Sequence, residues 1–141
     1  MKQNYTSEKF EFWTKVNLIT FERKLEYETA FDGVVKIYSL QTNNQNLNLN
    51  LSDKYFGDFV HITENGVFLR MFKSKKSWPK TRLVFMDFRN NKLTIIKKTN
   101  SSWNVWKGID MGNGKHFIEI KPTEIIATLS CINQNPCYNK A

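Results

Sequence analysis

The hydrophobic residues of this chain recur with a period of two. Ile19, Phe21, Leu25 and Tyr27 alternate with Thr20, Glu22, Lys24, Glu26 and Glu28, and Arg23 is the one charged residue on the apolar side. Leu47, Leu49 and Leu51 alternate with Asn46, Asn48, Asn50 and Ser52. Val67, Leu69 and Met71 do the same against Phe68, Arg70 and Phe72. Successive side chains of a strand point to opposite faces, so this spacing predicts half-buried strands. A helix would scatter the same residues around its circumference.

Turn residues divide the pattern. Asn65-Gly66 between Phe59–Thr63 and Val67–Phe72 predicts a two-residue hairpin. Asn90-Asn91 separates Arg82–Phe88 from Leu93–Lys98, and Gly112-Asn113-Gly114 precedes His116–Ile120. Thr42–Gln45 joins two further predicted strands, Val34–Leu40 and Asn46–Leu51. Two segments fit either a strand or a short helix: Ser7 to Asn17, and Thr123–Ile132. The expectation is a mainly β protein: an antiparallel barrel or sandwich of about eight to nine strands, with room for short helices at the N- and C-termini.

A chain of 141 residues fits a single domain spanning 1–141 and is long enough to bury a core. It has no apolar run able to span a bilayer and no apolar leader at its N-terminus, which points to a cytoplasmic, membrane-free protein. Cys131 and Cys137 are expected as free thiols. With two histidines and no Cys-x-x-Cys, no structural zinc and no other cofactor is expected.

Charge is unevenly placed. Residues 73–107 hold ten Lys or Arg against one acid, Asp87, a net +9, whereas the whole chain is +8. The remainder therefore sums to −1. The general excess of Lys and Asn is what an AT-rich genome produces, as in accessory proteins of phages and mobile elements. That bias does not gather charge into one segment. The same segment holds Trp78, Trp103 and Trp106, three of the four tryptophans. Lysines offer point charges to phosphates, and exposed tryptophans offer stacking surfaces to bases. Arginine, which reads guanine bidentately, is scarce, so little sequence readout is expected.

If Asn90-Asn91 is a two-residue turn, Arg89 faces Lys92, Phe88 faces Leu93, Met86 faces Ile95 and Val84 faces Lys97. That register sends Met86, Phe88, Leu93 and Ile95 to the core. The predicted nucleic-acid-binding residues are then Lys73, Lys75, Lys76, Trp78, Lys80, Arg89, Lys92, Lys98, Trp103, Trp106 and Lys107. An acidic protein surface is the alternative partner, with the chain as a regulator or inhibitor.

Asp110 followed by Glu119-Ile120-Lys121 resembles the metal-dependent nuclease superfamily, whose mark is an aspartate followed by Asp/Glu-x-Lys on adjacent strands. The resemblance implies Mg²⁺ held by Asp110 and Glu119 and water activated by Lys121. It spans about twelve residues, and Ile109 stands where the family has proline. His61-Ile62-Thr63 resembles one half of the phosphoesterases that pair two His-x-Thr/Ser strands; the second histidine opens His116-Phe117-Ile118, without the hydroxyl. Phe59-Val60-His61-Ile62 resembles an RNA-binding strand of cold-shock domains, again a β-barrel fold.

Overall fold

Ten strands and one short helix make up the computed structural model, which describes residues 9–29, 35–100, 103, 105–121 and 124–128. In chain order they are β1 (Glu11–Val16), β2 (Ile19–Thr29), β3 (Val35–Thr42), α1 (Gln45–Leu51), β4 (Tyr55–Ile62), β5 (Gly66–Phe72), β6 (Thr81–Asp87), β7 (Lys92–Thr99), β8 (Lys107–Gly112), β9 (Lys115–Lys121) and β10 (Glu124–Thr128). β1 to β7 form one antiparallel meander in sequence order, and β8 to β10 form a second, three-stranded sheet. The predicted mainly β antiparallel class is correct. The large sheet does not close into a barrel, because β1 and β7 remain unpaired with each other. Both ambiguous segments contribute strands, at 11–16 and 124–128. The rest of the C-terminal segment, with Cys131 and Cys137, lies outside the described residues. No helix among the described residues is long and apolar enough to cross a membrane.

β5 is buried along its whole length, on both faces. On one face Val67, Leu69 and Met71 join Val84 and Met86 of β6, Phe56 of β4, Phe21 of β2 and Val16 of β1 in a single cluster. Residues from both ends of the meander share this cluster, so the sheet curls around it. Phe21 reaches Phe88, just past β6, at 6.2 Å between ring centroids. On the other face Phe68, Leu83 and Phe85 meet Ile118 and Ile120 of β9 and Trp106. The small sheet thus covers β4 to β7 as a second layer.

α1 replaces the strand expected at Asn46–Leu51. Leu47 and Leu51 are four residues apart and fully buried, whereas Leu49 is 78% exposed. A period of two over three leucines also contains an i, i+4 pair, and that pair is the one used. The side chain of Asn44 caps the helix by accepting from Leu47 N at 3.1 Å. Asn48 grips the end of β3, accepting from Thr42 N and donating to Thr42 O. The asparagines that looked like the exposed side of a strand are the polar ties of this helix. Asn50 Nδ2 also donates to Asn91 O, fixing α1 to the β6–β7 turn.

The hairpin at Asn65-Gly66 is real, but its tip is Glu64-Asn65. Thr63 N donates to Gly66 O, and Ile62 pairs with Val67. Gly66 is required by close approach, not by its φ: a Cβ there would strike the Met86 carbonyl oxygen and lie 2.8 Å from the Phe85 ring. The left-handed Asn-Gly turn occurs instead at Asn113 (φ 55) and Gly114 (φ 76) between β8 and β9.

Candidate anion-binding surface

Register decides which basic residues meet. Asp87 pairs with Lys92, Met86 with Leu93 and Val84 with Ile95, so β6 and β7 are joined by the four residues 88–91. The expected Arg89–Lys92 opposition is therefore not formed. Arg89 folds back on Asp87, with Nη2 3.2 Å from Oδ2 and its backbone N–H donating to Oδ1 at 2.9 Å. Lys92 is exposed and stands across the ladder from the same acid. The tip thus carries a carboxylate among its cations. Val84 and Met86 are core and Leu93 and Phe88 pack against it, but Ile95 is 44% exposed.

A β-bulge between Leu83 and Val84 inserts Ile96 and resets the pairing. Beyond it Leu83 pairs with Lys97, Arg82 with Lys98 and Thr81 with Thr99. Here β6 and β7 end beside the 73–80 loop, and a cleft of about 510 Å³ opens. Among the described residues, Lys73, Lys80, Arg82, Lys97 and Lys98 line it with Thr81, Thr99 and Asn100, and no carboxylate does. Lys73, Lys80 and Lys98 were predicted. Arg82 and Lys97 were not, because the unbroken register placed Lys97 on the apolar face. The loop is braced locally: Lys80 N donates to Ser77 O at 2.7 Å, and Ser77 Oγ accepts from Ser74 N at 3.1 Å. Like charges facing each other across a ladder destabilise it. Arg82 opposite Lys98 carries that cost, which an anion in the cleft would offset.

The other predicted binding residues are placed elsewhere. Lys75 lies over Tyr55 and 3.9 Å from Glu26, and Lys76 lies over Tyr27, on the β2–β4 side of the loop. Lys107 pairs with Glu119 across β8–β9. Trp106 cannot stack on a base, since it is buried in the inter-sheet core at 6% exposure. Trp78 is half-buried against Phe72 and the Arg70 guanidinium. Trp103, at 39% exposed, keeps an accessible ring, and its carbonyl accepts from Arg70 Nη1 at 3.0 Å. The segment that is continuous in sequence is therefore divided in space.

The nuclease-like residues do not converge. Asp110 stands opposite His116, whereas Glu119 stands opposite Lys107. The two acids are three ladder positions apart, about 10 Å, and project to opposite faces. Lys121 closes β9, and its side chain lies outside the described part. No group of three metal-ligating side chains occurs among the described residues.

The fold does bring the two histidines together. His61 Nε2 and His116 Nδ1 are 3.0 Å apart, one donating and one accepting, and the bond ties β4 of the large sheet to β9 of the small one. Gly108 makes room for it, because a Cβ there would strike the His61 imidazole. Burial pushes both pKa values below the usual histidine range; His116 adds to this for His61, and Asp110 opposes it for both. Thr63 does not serve as a phosphate donor here, since its hydroxyl donates to Gly66 O at 3.0 Å. The pair acts as an inter-sheet tie. Its partners are 55 positions apart on different sheets, so no local sequence signal announces it.

Comparison with family models, with curated proteins and with solved structures yields no match to this chain.

Proposed function

We propose that the protein is a non-enzymatic nucleic-acid-binding module of the cytoplasm that seats a phosphate backbone in the cleft at the ends of β6 and β7. The observation that carries this reading is the cleft itself, with five cations and no carboxylate among the described residues that line it. Four of the five are lysines, which favour contact with phosphates over reading of bases. Trp103, 39% exposed, offers a surface on which a base can stack.

The test is binding of a labelled single-stranded oligonucleotide over a range of salt. With all five cations engaged, affinity falls about 100-fold between ~50 and ~200 mM salt, nearly independent of sequence. Replacing Arg82 and Lys98 with glutamine lowers the salt slope by about 1.4. Absence of binding at ~50 mM salt rejects the reading. An acidic protein retained from a nuclease-treated lysate, with no binding to the oligonucleotide, would assign the same cleft to a protein partner.

A further inference from the structure

Trp103 is exposed, yet its backbone is held from the core. The residue is 39% exposed, while its carbonyl accepts from Arg70 Nη1 at 3.0 Å. Arg70 stands in the middle of β5 at 3% exposure, on the face that meets the small sheet. Its guanidinium lies 4.1 Å from the Trp106 ring centroid and 4.9 Å from that of Trp78, which leaves it little freedom to swing. Its Nε donates to Thr81 Oγ1 at 2.9 Å. Thr81 opens β6 and lines the lysine-rich cleft. One planar guanidinium therefore ties the cleft lining to Trp103, and it sets Thr81 Oγ1 and the Trp103 carbonyl oxygen less than about 9 Å apart. The chain itself gives the same nearness: Trp103 follows Asn100, another lining residue, by three positions, at most about 11 Å. A stacked strand advances ~3.4 Å per nucleotide, so about three nucleotides cover that separation.

We infer that the ligand is single-stranded nucleic acid, with phosphates in the cleft and an unpaired base stacked on Trp103, an inference that rests on the reading of the cleft as a phosphate seat. Stacking needs a base with an open π-face. A single strand offers one at each nucleotide, whereas a duplex keeps its bases inside its own stack. The cleft, about 510 Å³ and so about 8 Å across, is narrower than the ~12 Å major groove of a duplex and admits one backbone. Nearby basic groups do not extend it into a track for a second strand. Lys75 and Lys76 lie over Tyr55 and Tyr27 with Glu26 close by, and the β6–β7 tip holds Asp87 against Arg89. The bond from Arg70 holds Trp103 in place before the ligand arrives, which lessens the ordering that binding requires.

The full chain is titrated with a labelled mixed-sequence strand of ~12 nucleotides, as DNA and as RNA, and with the DNA duplex of the same sequence, all at ~50 mM salt. The single strand binds about tenfold tighter than the duplex, although the duplex carries twice the phosphates. Trp103→Ala keeps the backbone carbonyl that Arg70 holds, so the fold is retained. It weakens the single strand about 5- to 150-fold, the loss of one base stack, and leaves the salt slope and the duplex affinity unchanged. Trp103→Phe recovers most of that loss, because a phenyl ring still offers a π-face. Whichever of the DNA and RNA strands binds more tightly shows this dependence on Trp103 and identifies the natural ligand. Duplex binding as tight as the strand's, or a Trp103→Ala loss under ~2-fold, overturns the inference while leaving the cleft a phosphate site. No binding of any of the three at ~50 mM salt rejects the cleft itself, and this inference with it.

Discussion

The two faces of β5 hold two different kinds of core. Val67, Leu69 and Met71 enter a cluster that is apolar throughout and draws on β1 to β6 and α1. Phe68, Arg70 and Phe72 enter a face interrupted by a buried guanidinium, a histidine pair and an indole N–H with no partner among the described residues. Buried polar groups must be paired or they destabilise the fold. The contrast teaches that the apolar face carries the stability of the meander, while the face under the small sheet accepts polar groups that tie layers together and shape clefts.

The largest expected effect sharpens that contrast. Leu69→Ala, on the apolar face, removes fully buried methyl groups and costs about 2–5 kcal/mol, read from the denaturant midpoint. A loss under ~1 kcal/mol would mean that this face is not the stabilising one.

The second effect belongs to the polar face and depends on pH. Both histidines have pKa values lowered by burial, so the unfolded chain binds protons first as pH falls. Stability is complete above the ordinary histidine pKa, about 6.5, and falls below it by at most about 1.4 kcal/mol per pH unit for each histidine. Denaturant unfolding at pH 7.5 and pH 5.5 measures this, as a fall on acidification. His116→Gln reduces the pH dependence, because one titrating partner is gone. A stability that rises on going from about pH 7 to about pH 5.5 would contradict the burial of the pair.

The smallest effect on stability is at the cationic cleft. Replacing Arg82 and Lys98 with glutamine changes stability by within about 0.5 kcal/mol, since these are surface groups facing a like charge. A large loss would make the pair part of the fold's support and not a binding feature.

The strands were legible because their alternation repeats over β2 and β5 and their turns carry Asn and Gly. α1 was not, because Leu47, Leu49 and Leu51 satisfy both periods over so short a stretch. Asn44 three residues ahead of Leu47 was the available sign, as a helix cap. Within the cleft, Lys73, Lys80 and Lys98 could be read from clustering alone. Arg82 and Lys97 could not, because a one-residue bulge at Leu83/Val84 sets the pairing beyond it. Trp106 looked no different from Trp103 in sequence, since burial of an aromatic three residues away in the same loop is decided by the layer above it. The meeting of His61 with His116 depends on how two sheets stack, which no local pattern encodes.

The salt dependence of oligonucleotide binding, compared between the natural chain and the Arg82→Gln/Lys98→Gln variant, is the sharpest test of whether the cationic cleft holds a phosphate backbone. A steep slope of about −3.5 is expected for the natural chain and about −2.1 for the variant. Equal slopes for the two proteins, or no binding by the natural chain at ~50 mM salt, would contradict it.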